Sequence, residues 1–304
     1  MSTPLSSSSP YIGRFAPSPT GELHQGSLLT AVASYLDARQ VQGQWLVRME
    51  DLDPPREQAG AADSILRALE THGLHWDQKV IYQSQRQNAY NERLAELKAK
   101  QLCYPCDCNR QRLKNLPAYD GHCRHHVPQR SQPVATRVKL KPGSEIRFED
   151  VFQGHQTQHL NREVGDFVIH RKDGLFAYQL AVTVDDIDQG ITQVIRGIDL
   201  MSSTARQLYL FEQFGAPQPS YGHLPVIVNS QGQKLSKQTF AEPLSNAQAS
   251  DNLWLALARL GLAPPPNLQK EDCETQLNWG VINWQRSKVP RTTKIELDQT
   301  PMPD

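Results

Sequence analysis

The chain lacks net charge: 32 Lys and Arg residues balance 32 Asp and Glu. No global basic field advertises nucleic acid, so any RNA contact rests on local patches. Long apolar runs are missing too, and nothing approaches the roughly 20 residues that span a bilayer. Residues 1–10, Met-Ser-Thr-Pro-Leu-Ser-Ser-Ser-Ser-Pro, hold no apolar core and read as a flexible tail, not a secretory signal. Cysteine is scarce and odd in number at 5, which argues against a disulfide framework and for the cytoplasm. Internal repeats are absent. What remains is 304 residues, 38% apolar and 21% charged, ample for a sizeable core.

The periodicity alternates strands and helices. Tyr11–Phe15 and Trp45–Met49 read as strands; residues 57–72 and 86–101 carry apolar residues at helical spacing. That order predicts an α/β fold with a parallel sheet, whose ligands bind beyond the carboxyl ends of strands. Arg14 and Glu50 sit near such ends. Residues 103–165 break the pattern. They hold three of the cysteines, basic clusters and two short alternating runs, Val134–Leu140 and Ile146–Asp150. This stretch reads as an insertion with antiparallel β character. The parent pattern resumes at Phe167-Val168-Ile169, with strands read over Phe176–Val184, Ile191–Ile195 and Leu224–Val228 and a helix over about Ser202–Phe214. After residue 245 comes a helix around Leu253, Trp254, Leu257 and Leu260, with Trp279 and Trp284 as later anchors.

One stretch organises the rest. Phe15-Ala16-Pro17-Ser18-Pro19-Thr20-Gly21 breaks the first strand with two prolines and a turn. His24-Gln25-Gly26-Ser27 then opens a helix carrying Leu28, Leu29, Val32 and Leu36. A helix N-terminus offers free N–H groups and a positive dipole end to phosphate. Gly26 would let a flat base approach the backbone, and His24 could donate to a phosphate oxygen. Alone, such a His-x-Gly is an ordinary polar turn.

It is not alone. Arg14-Phe15-Ala16-Pro17-Ser18-Pro19-Thr20-Gly21-x-x-His24-x-Gly26 resembles the N-terminal signature of the glutamyl- and glutaminyl-tRNA synthetases, with His24–Ser27 at their HIGH box. Lys234-Leu235-Ser236-Lys237-Gln238 resembles their KMSKS loop, departing at Gln238. The resemblance implies a Rossmann-like class I catalytic domain. It assigns His24, Gly26, Ser27 and Lys237 to ATP, and it places His24, Gly26, Lys234 and Lys237 in catalysis. Two lysines on a glycine-bearing loop suit charge building on leaving pyrophosphate. Mg²⁺ would arrive with ATP.

A glutamate substrate presents two carboxylates and one ammonium. Arginine suits the carboxylates, and Arg14 and Arg196 are the candidates, with the assignment between them open. Glu50 is the candidate for the ammonium. Tyr178 matches the family tyrosine of the pocket, although Tyr178, Leu180, Val182 and Val184 on one strand face could simply be core. Phe15, Ala16, Pro17 and Ser18 complete the glutamate-binding set. Asp185-Asp186-Ile187-Asp188 reads as a turn with a solvated acidic face.

Cys106-x-Cys108 with Cys123 reads as a structural zinc site. Chemistry alone favours His122, His125 or His126 as fourth ligand. The resemblance points instead to Tyr119, in Tyr119-Asp120-Gly121-His122-Cys123. Cys103 and Cys273 read as core or surface thiols.

The resemblance covers about residues 11–245. The expected organisation is a tail (1–10), a first catalytic half (11–102), an inserted zinc-binding subdomain (103–165), a second catalytic half with the lysine loop (166–245) and a short C-terminal helical region (246–304). That last region is too short for the family's anticodon-reading domain. The chain therefore resembles the family's short glutamyl-Q paralogues. Those activate L-glutamate with ATP, without tRNA, and attach it to queuosine in the anticodon loop of tRNA(Asp). A basic patch of Arg110, Arg112, Lys114, Arg137 and Lys139 would grip RNA, and the expected state is a monomer. The rival expectations are a truncated glutamyl-tRNA synthetase charging a 3′ end, a nucleotidyltransferase of the same fold, and a non-catalytic RNA-binding relative.

Overall fold

The computed structural model describes residues 10–126, 128, 133–235 and 242–297. The expected tail, apart from Pro10, lies outside them. So do Ser236, Lys237 and Gln238 of the lysine loop, and the final residues from 298.

Strand β1 (Ile12–Phe15) leads through the proline loop into α1 (Gln25–Gln40), then β2 (Gln44–Met49), α2 (Ala61–Thr71), β3 (Ile81–Tyr82) and α3 (Gln87–Ala99). Next come β4 (Cys103–Cys106), α4 (Arg110–Leu113), β5 (Ala135–Val138), β6 (Glu145–Asp150), β7 (Gly154–His159), α5 (Leu160–Glu163) and β8 (Val168–His170). After these lie α6 (Tyr178–Asp188), β9 (Gln193–Gly197), α7 (Met201–Phe214), β10 (Ser220–Leu224) and β11 (Val226–Val228). Helices α8 (Ala249–Arg259) and α9 (Cys273–Asn283) precede β12 (Lys294–Glu296), which pairs with β11.

Among the described residues the main sheet runs β3-β2-β1-β9-β10-β6-β7. Its pairs are parallel except the β6–β7 hairpin. Chain order reverses direction between β1 and β9. Such a switch point opens a crevice beyond the carboxyl ends of the strands. Arg14 on β1 and Arg196 on β9 flank it. A second, antiparallel sheet joins β4, β5 and β8.

Helix α1 is the keel. Leu28, Leu29, Ala31, Val32, Ala33 and Leu36 are all buried, against β1, β2, β9, α8 and α9. Its Asp37 ties down the C-terminal region. Trp284 Nε1 donates to Asp37 Oδ1 at 2.8 Å, Arg286 grips both oxygens at 2.7 Å, and Tyr11 donates its hydroxyl to Oδ2.

The structure differs from the sequence reading in four places. Tyr178–Asp188 is a helix, not a strand. A buried apolar run rich in β-branched residues reads the same either way by pattern, and here every residue from Gln179 to Asp186 is buried. Asp185 and Asp186 are therefore not a solvated turn; they lie near the end of this helix at 0% and 2% exposure. Val168–His170 belongs to the small sheet, while Glu145–Asp150, read as insertion, extends the main one. Lastly, Pro225 splits the run Leu224–Val228 between two sheets, and the strand Ser220–Leu224 was missed because Gly222 and His223 interrupt its apolar pattern. Gly222 is needed there: a Cβ would lie 2.7 Å from the Phe152 ring.

Candidate active site

His24 caps α1. Its extended backbone (φ −125°, ψ 172°) turns the ring back over the first turn, where Nδ1 accepts from the amides of Gly26 (3.1 Å) and Ser27 (3.4 Å). The open amides expected at this helix end are thus already capped. Two N–H donors at Nδ1 place the neutral ring's proton on Nε2, which lies 3.3 Å from Ser27 Oγ. A Cβ on Gly26 would crowd this ring at 3.2 Å, so glycine keeps the cap compact.

A cleft of about 460 Å³ opens at the switch point. Its walls gather Arg14, Phe15, Ala16, Pro17 and Ser18 from the end of β1, His24, Gly26 and Ser27 from the cap, Glu50 after β2, Tyr178, Arg196 and Lys234. Lys237 lies outside the described residues. Thr20, read in the sequence only as part of a turn, also lines the cleft, as do Thr30, Arg56 and Asp199, which were not singled out. Asp199 Oδ2 accepts from Lys234 Nζ at 2.6 Å, a half-exposed ion pair at the rim. Its place three residues beyond Arg196 was the available signal.

The charges beneath the cleft are arranged in depth. Arg14 faces Asp186 through two contacts of 3.3 and 3.4 Å. Fully buried Arg48 reaches Asp186 (2.8 Å), Glu50 (3.5 Å) and Asp185 (3.7 Å). Asp185 also accepts from Arg86, Tyr90 and Gln83. Burial pushes the Glu50 carboxyl above its ordinary value, although Arg48 and Arg14 pull the other way. Glu50 Oε1 has no hydrogen-bond partner among the described residues. It is a buried acceptor on a residue that lines the cleft, held by the Arg48 charge at 3.5 Å but by no hydrogen bond. Arg196 donates from Nε to His223 Nε2 (3.0 Å) and from its terminal nitrogens to Thr204 Oγ1 (2.8 Å) and the Tyr178 hydroxyl (3.4 Å). The sequence reading missed Arg48 and His223 and put Asp186 on the surface; all three are interior polar side chains.

The thiols form a separate cluster outside the cleft lining. The Sγ atoms of Cys106, Cys108 and Cys123 lie within 4.8 Å of one another. The Tyr119 hydroxyl oxygen sits 3.6 Å from Cys106 Sγ and 3.7 Å from Cys108 Sγ, and it accepts from the Cys123 amide at 2.9 Å. Tetrahedral zinc with Zn–S near 2.3 Å sets sulfurs about 3.8 Å apart, so this donor set fits the ion. His122, His125 and His126 are exposed, and none joins the cluster. Arg137 Nε reaches Cys106 Sγ (3.2 Å), and the guanidinium stacks on the Tyr119 ring at 3.9 Å. Burial would raise the Cys106 thiol, but Tyr119 and Arg137 outweigh it and hold it below its ordinary value. Arg137 is therefore buried structure, not part of an RNA-facing patch. Of the other basic residues, Arg112 pairs with Asp120 and Arg124 with Asp166; Arg110, Lys114 and Lys139 are exposed.

A family model described as tRNA synthetases class I (E and Q), catalytic domain, matches residues 12–262. A Pseudomonas fluorescens protein named glutamyl-Q tRNA(Asp) synthetase is 50% identical over 291 residues, 95% of this chain and 97% of that one. A Cronobacter sakazakii protein of the same name is 50% identical over 284 residues, 92% and 94% of the two chains. Among solved structures, a glutamate tRNA ligase from Elizabethkingia meningosepticum, in complex with its amino acid, superposes with a TM-score of 0.77 at 24% identity. That match covers 93% of this chain and 66% of the ligase. A glutamate-tRNA synthetase from Elizabethkingia anophelis gives 0.79 at 24%, over 95% and 69%. At these identities the structural likeness speaks for the fold alone.

Proposed function

The chain belongs to the class I tRNA synthetases (E and Q), catalytic-domain family, and we propose that it activates L-glutamate with ATP and transfers it to queuosine in the anticodon loop of tRNA(Asp). It is a class I aminoacyl-tRNA synthetase-like ligase. The observation that carries the reading is the gathering, in one cleft, of two buried guanidiniums, Arg14 and Arg196, with the carboxylate of Glu50, whose Oε1 accepts no hydrogen bond among the described residues. That is the charge complement of an amino acid with a second carboxylate.

Glu50 accepts the substrate ammonium, and Arg14 and Arg196 take the carboxylates, with Tyr178 beside Arg196. The wall from Phe15 to Ser18 packs along the substrate. An α-carboxylate oxygen attacks the α-phosphorus of ATP, the bond to the bridging oxygen breaks, and pyrophosphate leaves. His24 donates from Nε2 to a phosphate oxygen, while Gly26 and Ser27 leave room for the nucleotide. Lys234 and Lys237 balance the charge on the leaving group, an electrostatic effect that costs no reorganisation at the moment of reaction. Mg²⁺ enters with ATP. A hydroxyl oxygen of the splayed queuosine then attacks the glutamyl carbonyl, loses its proton, and AMP leaves. Single-stranded loops allow a base to splay in this way.

Cys106, Cys108, Cys123 and Tyr119 would hold zinc, which supplies structure to the inserted subdomain (residues 103–165) and no chemistry. Exposed Arg110, Lys114 and Lys139 there are available to RNA phosphates. We read the chain as a cytoplasmic monomer; no described helix is long and apolar enough to cross a membrane.

ATP–pyrophosphate exchange with each amino acid, with and without RNA, tests activation. Glutamate should support exchange without RNA. Glutamine should support little, because a carboxamide leaves a buried arginine facing a neutral group, at a cost on the order of 2 kcal/mol. Equal rates for the two would overturn the pocket assignment.

A further inference from the structure

Arg14 and Arg196 flank the same cleft but are held differently. Arg14 meets a carboxylate directly in Asp186. Arg196 meets an imidazole, and the carboxylate stands behind it. Sheet register builds this order: β9 sets Arg196 opposite His223, and β10 sets Tyr221 opposite Asp150 of β6. His223 Nδ1 lies 2.5 Å from Asp150 Oδ2, and its Nε2 lies 3.0 Å from Arg196 Nε. Asp150 Oδ1 accepts the amides of Phe152, Gln153 and His223 at 3.0–3.1 Å. His223 and Asp150 side chains are both fully buried.

The partners fix the protons. Arg196 Nε can only donate, so His223 Nε2 must accept. The ring proton then sits on Nδ1 and is donated to Asp150, which is ionised. Thr204 accepts from Arg196 and can donate to the same Nε2, at 3.2 Å. Every hydrogen in this relay has one place. Neutral His223 thus aligns the guanidinium without cancelling its charge, whereas a carboxylate in its place would compete with the substrate's own.

We propose that His223, locked in its Nδ1–H tautomer by Asp150, is a positioning residue that presents Arg196 to a substrate carboxylate with an imidazole, and not a carboxylate, at its Nε. The proposal rests on the reading of the cleft as an amino-acid site. It also makes the β6–β7 hairpin, which the sequence assigned to the insertion, part of the support of that site.

Asp150→Asn tests it with little change of shape. Three backbone amides keep the side-chain oxygen at the Oδ1 place, so the new NH₂ faces His223 Nδ1. The ring must then carry its proton on Nε2, donor against donor with Arg196 Nε. The glutamate KM should rise at least about tenfold with the ATP KM unchanged, as for a lost charge-assisted contact. His223→Gln keeps an acceptor for Arg196 and should stay within a few-fold of wild type; His223→Leu should behave like Asp150→Asn. Nitrogen-15 NMR of histidine-labelled protein reads the tautomer without reference to activity. Nδ1–H at neutral pH in the wild type, switching to Nε2–H in Asp150→Asn, is expected. An Nε2–H or doubly protonated ring in the wild type overturns the proposal, as does an Asp150→Asn variant whose ATP and glutamate KM values move together. A wild-type enzyme that exchanges only with some other amino acid overturns the glutamate reading instead; the tautomer and the KM split for that amino acid still decide the role of His223.

Discussion

Asp186 lies across Arg14 beneath the cleft, its Oδ1 3.3 Å from Nε and its Oδ2 3.4 Å from a terminal nitrogen, with both side chains buried. The same carboxylate also holds Arg48 at 2.8 Å. One acid near the end of α6 thus braces two strands of the parallel sheet. Removing its charge leaves two buried guanidiniums short of a partner. Asp186→Asn should lose about 3–5 kcal/mol of stability, read by denaturant unfolding. Burial alone would raise the Asp186 carboxyl, but Arg14 and Arg48 outweigh it and hold it below the ordinary carboxylate value. Its contribution is therefore present above the unfolded value of about 3.9 and is lost as pH falls through the folded one. Acid unfolding of Asp186→Asn should be correspondingly less steep.

Glu50 has the opposite shift. Its carboxyl is raised by burial, so the ligand-free enzyme begins to lose this charge at a pH above that of an ordinary glutamate. The kcat/KM for glutamate should fall as pH drops through that raised value, since the ammonium loses its partner. Glu50→Gln should raise the glutamate KM at least about tenfold and abolish this limb of the pH profile, with no loss of Tm, because the ionised form is the costly one. A Glu50→Gln profile with the wild-type acid limb would reject the assignment.

Purified protein should contain one zinc per chain. Removing it with a strong chelator should lower Tm by several degrees, since structural zinc contributes folding energy outright. Tyr119→Phe should weaken zinc retention and His125→Ala should not, because the tyrosine oxygen sits among the sulfurs and His125 is exposed. Elemental analysis without zinc would remove the site; the reverse order of the two variants would reassign its fourth ligand.

Lys237→Ala should lower the exchange rate by roughly 10²-fold, as for one lost transition-state donor, with Tm unchanged. An unchanged rate would reject its place at the leaving group.

The strand–loop–helix around His24 was legible because its information is local: prolines, glycines and helical spacing lie next to the residues they place. The thiols were legible by spacing for the same reason. What was not legible is pairing at a distance. Arg48 meets Asp186 138 residues along the chain, and His223 meets Asp150 73 residues away. No pattern in either segment announces its partner, so Asp185 and Asp186 read as surface and Arg137 as a patch for RNA. The strand assignment at Tyr178–Val184 failed on another ground: a helix buried on all sides loses the periodicity that would mark it.

The most direct test tracks labelled glutamate to its acceptor. Purified enzyme, ATP and labelled glutamate are mixed with tRNA(Asp) carrying queuosine, with the same RNA carrying plain guanine at that position, and with tRNA(Glu). Label should appear on the queuosine-containing anticodon fragment alone, and its yield should fall steeply with salt, as for a grip on phosphates. Label at the 3′ end of tRNA(Glu), with none on queuosine, would contradict the account and show a chain that charges tRNA in the conventional way.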